Sequence, residues 1–151
     1  MSTSDTYDAL LDRYRRVSNV RHADGVLMWD QQTVMPEGGT PARAEQRSTL
    51  SSVEHDLLTA DELGRLLAEV DEESLAADER AAVREIRRQH ERAVRVPDEL
   101  VAEISRVESG AHETWQDAKA DDDFDAFAPI LERIVDLYRE RAAHLDPDVH
   151  P

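Results

Sequence analysis

Apolar residues recur along this chain at intervals of three and four, and no stretch alternates apolar and polar positions over the length of a strand. That periodicity predicts helices throughout and no sheet. The first stripe, Tyr7, Leu10, Leu11, Tyr14 and Val17, opens a helix near Ser4 and continues less regularly through Val20, Leu27 and Met28. Asp24 and Gly25 interrupt the stripe and predict a bend. Pro36 disfavours the helical region for Met35, so the helix ends before it, and Glu37-Gly38-Gly39 reads as a loop. Trp29 is expected to anchor this first helix to the core.

Five further helices follow in the same pattern. Thr40 is the expected N-cap of the second, with Pro41 at the first helical position, and the helix runs to about Leu58. Thr59-Ala60-Asp61-Glu62 has the spacing of a capping box for a short third helix through Leu63, Leu66, Leu67 and Val70. Ser74 is the expected cap of a fourth. Its inner stripe is Leu75, Ala82, Val83, Ile86, His90, Ala93 and Val94, and its outer face carries Arg84, Glu85, Arg87, Arg88, Glu91 and Arg92. Pro97 opens a fifth, whose stripe of Leu100, Ile104, Val107, Ala111, Trp115 and Ala118 follows the 3.6-residue period. Asp121-Asp122-Asp123 ends it and gives the sixth helix a favourable N-terminal charge. Phe127, Ile130, Leu131, Ile134, Leu137, Tyr138, Ala142 and Leu145 then form the cleanest stripe in the chain. The expected fold class is all-α, an antiparallel array of about six helices with the last two as a hairpin. Residues 1–145 read as a single helical domain and 146–151 as a linker or a severed connection.

Charge narrows the functional classes. The chain carries 34 acids against 18 bases, a formal net charge of -16, and Lys119 is its only Lys. Such a surface repels phosphate backbones and anionic membranes, so neither nucleic acid nor membrane is expected as a partner. An acid-rich, nearly Lys-free composition suits a protein kept soluble at high salt, where screening relieves self-repulsion, and so suggests a halophile. A GC-rich genome also favours Arg over Lys. There is no cysteine, which excludes disulfides and thiolate metal sites. The first twelve residues lack the basic and apolar regions of a signal peptide, and the cytoplasm is the expected location.

Two stretches come close to a catalytic pattern without completing it. A helical zinc peptidase uses His-Glu-x-x-His, because imidazoles four residues apart reach one metal and the intervening Glu activates its water. His112-Glu113-Thr114-Trp115-Gln116 ends in Gln, and His90-Glu91-Arg92-Ala93-Val94 ends in Val. His90 is read as a stripe residue that finds a hydrogen-bond partner, and His112 as a flank residue beside Trp115. No His has Glu three residues before it, as a di-iron bundle requires. Glu140 and His144, four apart, read as a surface pair. Nucleophile elbows and phosphate loops are absent from the sequence. Neither catalytic nor metal-ligating residues are therefore assigned. One stretch stands apart, in which Trp29, Met28 and Met35 surround Asp30 and the polar run Gln31-Gln32-Thr33 just before Pro36. Asp30 is expected to reach an Arg such as Arg43 across the loop. Trp29, Asp30, Met35 and Arg43 are the candidate site, either as a helix-end tie or as the lining of a substrate cleft.

Trp29-Asp30-Gln31-Gln32-Thr33-Val34-Met35-Pro36, the Gly38-Gly39 loop and Ala42-Arg43-Ala44-Glu45-Gln46 resemble the N-terminal signature of the carboxypeptidase Taq family of metallocarboxypeptidases. Glu54 to Thr59 with Glu62-Leu63-Gly64, and Phe124 to Glu132, resemble later helices of the same family, and His150-Pro151 stands where the family chain continues. The resemblance implies a longer helical enzyme that removes C-terminal residues from peptides with broad specificity. It implies zinc or another divalent metal for a full-length member, peptide substrates and a homodimer. The zinc motif lies downstream of the matched region, so no family ligand transfers to this chain. The resemblance thus implies helices that flank or cover an active-site groove, inactive alone, whose partner is the missing catalytic region or a second copy through the apolar face a truncation would expose. The alternative is a non-catalytic interaction or assembly module derived from such a peptidase.

Overall fold

A computed structural model describes residues 3–36 and 38–146, with side chains from Asp5 onward. Glu37 and the expected linker from Pro147 lie outside the described residues. Six α-helices are arranged in chain order as α1 (Thr3–Thr33), α2 (Thr40–Thr59), α3 (Asp61–Glu69), α4 (Ala77–Ala93), α5 (Asp98–Ala120) and α6 (Phe124–Leu145), with a single 3-10 turn at Glu72–Ser74 before α4. Among the described residues there is no strand. The all-α array expected from the periodicity is what forms.

The core is divided in two. The larger part joins α1, α3 and α4 and the end of α2, with Leu10, Val17, Leu58, Leu63, Leu66, Val83 and Ile86 among its ten buried side chains. The smaller holds Val96, Leu100, Ile104 and Leu137. Since each fully buried aliphatic side chain contributes about 1.5–3 kcal/mol, most of the apolar stabilisation lies at the α1–α3–α4 end. Between the two clusters α2 crosses α5 through small residues: Ala44, Ser48, Ser109 and Ala111 are all buried, and the Ser48 hydroxyl donates to the Ala102 carbonyl at 3.0 Å. Small side chains let these two helices approach closely.

α1 runs as one continuous helix through Asp24 and Gly25 to Thr33, with Asp24 turned inward to an ion pair with α2. Several local expectations are corrected. Gly39, not Thr40, occupies the N-cap of α2, and Thr40 is its buried first residue. The Thr59 hydroxyl donates back to the His55 carbonyl at 2.9 Å, which leaves Ala60 to cap α3 without a side-chain bond. Ser74 belongs to the 3-10 turn, and α4 starts at Ala77 with Glu79 accepting from the Ala76 N–H at 2.8 Å. Asp123 does cap α6, accepting from the Ala126 N–H at 3.1 Å.

Two stripes bury less than their pattern suggests. Trp29 does not anchor α1, because it is 61% exposed. It lies about 140–160° around the helix from Asp24 and Gln31, the residues that face α2 and α5. On α6 only Leu137 is buried, while Phe124 is 65% exposed and Leu131, Val135 and Tyr138 are also open. α6 forms the expected hairpin with α5 and packs chiefly on that one neighbour, which covers a single side of its stripe.

Candidate functional site

The second half of α1 is held to α2 by charge rather than by apolar packing. Arg47 grips Asp24 with two parallel bonds, Nε to Oδ1 at 2.8 Å and Nη2 to Oδ2 at 2.9 Å. One turn earlier on α2, Arg43 donates to Asp30 Oδ2 at 2.5 Å, to the Leu27 carbonyl and to Gln46 Oε1 at 3.2 Å. Going back along α2 from Arg47 to Arg43 moves forward along α1 from Asp24 to Asp30, the register of two antiparallel helices. The Arg43 side chain is 12% exposed and that of Arg47 17% exposed, so both pairs are partly desolvated and removing one partner would strand the other. The bond that Arg47 donates to Asp24 raises the pKa of its guanidinium, against the opposing effect of burial. α5 joins the same network: Arg47 Nη1 donates to Ser109 Oγ at 3.2 Å, and Gln31 Nε2 donates to the Ser109 carbonyl at 2.9 Å.

The loop after α1 is fixed by its two glycines for different reasons. Gly38 has φ of +82°, a conformation that strains any side chain. At Gly39 an added Cβ would stand 3.0 Å from Met35 Cγ and 3.1 Å from the Pro36 carbonyl oxygen. Met35 is thereby folded over the loop.

This places Gln31, Met35, Pro36 and Thr40 along one side of a polar cavity of about 350 Å³, whose other side is His112, Glu113, Gln116 and Asp117 of α5. Two segments singled out separately in the sequence, the run before Pro36 and the near miss at residues 112–116, thus face each other. The His112 ring stacks on Trp115, with centroids 5.9 Å apart and planes inclined by 29°, and Lys119 Nζ lies 4.8 Å from the Trp115 ring centre. His112 Nε2 is buried with no hydrogen-bond partner. Of the four candidate residues, Met35 lines this cavity, Asp30 and Arg43 tie the helices behind it, and Trp29 points to solvent. Thr40, Gln116 and Asp117 were not anticipated. Only the i, i+4 spacing of His112, Gln116 and the neighbouring acids hints at them.

The cavity does not fit a metal. Among the described residues no group of three or more His, Asp or Glu side chains converges as metal ligands would. His112 spends one ring face on Trp115, and Gln116 stands where a second imidazole would be needed. His90 has a structural role, its Nδ1 lying 2.6 Å from the Leu58 carbonyl and its ring packed against Gly64.

The sequence matches the carboxypeptidase Taq (M32) metallopeptidase family over residues 9–151. The chain belongs to that family. Within the carboxypeptidase Taq family it is 34% identical over 149 residues to thermostable carboxypeptidase 1 of Pyrococcus furiosus, spanning 98% of this chain and 30% of that enzyme. The Thermus thermophilus thermostable carboxypeptidase 1 is 32% identical over 146 residues, or 94% of this chain and 29% of the enzyme. The crystal structure of BsuCP superimposes with a TM-score of 0.88 at 25% identity, over 93% of this chain and 29% of that one. The chain therefore spans less than a third of the length of these family relatives and corresponds to their N-terminal part. Among the described residues no helix is long and apolar enough to cross a membrane.

Proposed function

We propose that this chain is the N-terminal helical portion of a metallocarboxypeptidase, which flanks the substrate groove of an enzyme that removes C-terminal residues from peptides. The reading rests on one observation: a family match over nearly the whole chain that accounts for under a third of its relatives. The chemistry belongs to the part beyond that share, where a divalent metal would polarise the scissile carbonyl and activate water. The role of the present residues is to shape and to exclude. The Asp24–Arg47 and Asp30–Arg43 pairs hold α1 against α2, and the cavity between Gln31 and Asp117 receives a polar group at the unpartnered His112 Nε2. The remaining catalytic region covers the apolar face of α6. The complete protein is a homodimer in the cytoplasm.

Alone, the chain is expected to retain no stoichiometric zinc after dialysis and to leave an N-blocked dipeptide uncleaved. One zinc per chain, or hydrolysis at an enzyme-like rate, overturns that expectation. A second reading, a non-catalytic assembly module, draws support from the exposed Phe124, Leu131, Val135 and Tyr138. The coding sequence beyond Pro151 separates the two: an in-frame His-Glu-x-x-His favours the peptidase, a stop codon the module.

A further inference from the structure

A cavity of about 450 Å³ opens where α2, α4, α5 and α6 meet, with a lining separate from that of the cavity bearing His112. Its charge runs against that of the whole chain. In a sequence with 34 acids and 18 bases, the lining carries Arg21, Arg88, Arg92 and Arg141 against the single acid Glu54. Arg21 is bonded to Glu54 at 2.6 Å, and Arg88 to Glu85, outside the lining, at 2.7 Å. Arg92 and Arg141 form no ion pair with a carboxylate among the described residues, and the Arg141 guanidinium lies over the Tyr138 ring at 5.9 Å. The second observation is His55, which is 9% exposed and lines the same cavity. An imidazole on the cavity wall, beside two guanidinium groups without carboxylates, offers donors to a ligand.

We propose that this cavity binds a phosphate-type oxyanion. A tetrahedral oxyanion offers oxygens in several directions and suits donors that converge from α2, α4 and α6, whereas one carboxylate would occupy a single guanidinium fork. Gln89, held by Tyr14 at 2.9 Å and by Arg21 at 3.2 Å, fixes the rim on the α1 side. The floor of Leu58, Val96, Val101 and Leu145 is apolar, and the volume exceeds what a bare ion fills, which suits the organic part of a phosphate monoester. A strongly acidic protein would thus hold an anion at a cavity where its own field is locally reversed.

The test is an NMR titration of the isotope-labelled chain at low ionic strength with inorganic phosphate and with phenyl phosphate. Saturable shifts are expected at residues 51–58, 88–93 and 141–145, with an apparent Kd at or below about 1 mM. Phenyl phosphate binding more tightly than phosphate identifies a monoester site, and equal binding identifies a site for the free ion. The double variant Arg92→Gln/Arg141→Gln removes two exposed side chains and is expected to keep its helical circular dichroism while weakening binding about tenfold or more. His55→Gln serves as a second probe from the buried side and should weaken binding as well. The proposal is overturned if neither anion gives saturable shifts, or if both variants bind as tightly as the parent chain.

Discussion

Individual residues in this chain differ sharply in how far their neighbours constrain them. Glu85 is about half exposed, yet its Oε1 accepts 2.7 Å bonds from Arg88 and Gln89, and the Arg88 bond foremost holds its carboxyl down at about 2. The folded value lies below the usual 4.5, so whatever Glu85 contributes is present in full above 4.5 and is lost progressively as pH falls from there through about 2. In an NMR titration of the side chain, Glu85 should protonate only near pH 2, and Arg88→Gln should return it toward 4.5. Gly38 is constrained by the backbone instead. Its φ of +82° predicts that Gly38→Ala destabilises the chain by about 1 kcal/mol, read as a lowered denaturant midpoint with an unchanged slope. An effect within error would show that the loop adopts another conformation without cost.

Helices meet here by two different devices, and substitutions at each should behave differently. α1 enters the core through Leu10 and Val17 in its first half, then relies on Asp24 and Asp30 in its second. Arg47→Gln breaks a bidentate pair and a contact to Ser109 in a site where the paired side chains are about one-fifth exposed. Partial solvent screening tempers the cost, which is expected at about 2 kcal/mol. The loss should be local: hydrogen exchange should accelerate from Asp24 to Thr33 while residues near Leu10 stay protected. Uniform acceleration along α1 would mean that the ion pairs and the apolar cluster unfold as one unit.

The molecule as a whole carries 34 acids on 151 residues, and most ion pairs among the described residues are exposed and individually weak. Self-repulsion at net charge -16 is therefore a global term that salt can relieve. The melting temperature is expected to rise between low and molar sodium chloride, and a flat or falling profile would remove the support for a halophilic adaptation. The same salt should strengthen contacts through the open stripe of α6. Sedimentation in molar salt is expected to show self-association, weakened by Tyr138→Glu and Val135→Glu on that stripe; a clean monomer without apolar dye binding would show that this face needs no cover.

The six helices were legible from sequence because apolar spacing is a local signal, written within each segment and independent of its neighbours. The family signature from Trp29 to Gln46 was legible in the same way, as contiguous residues. The facing of Trp29 was not, because the stripe of α1 fades after Val20 and only the antiparallel pairing with Arg43 and Arg47 decides which side turns inward. Caps failed for a similar reason: Thr59 and Ser74 each had a competing carbonyl within reach, and spacing cannot rank the two bonds. Neither cavity could be read along the chain. His112 faces Gln31 across 81 positions of sequence, and Arg92 meets Arg141 across 49, distances that only the crossing of α2, α5 and α6 closes. With 17 Arg among twice as many acids, the sequence permits almost any pairing, and tertiary packing chooses which guanidinium groups find a carboxylate and which are left to meet an anion.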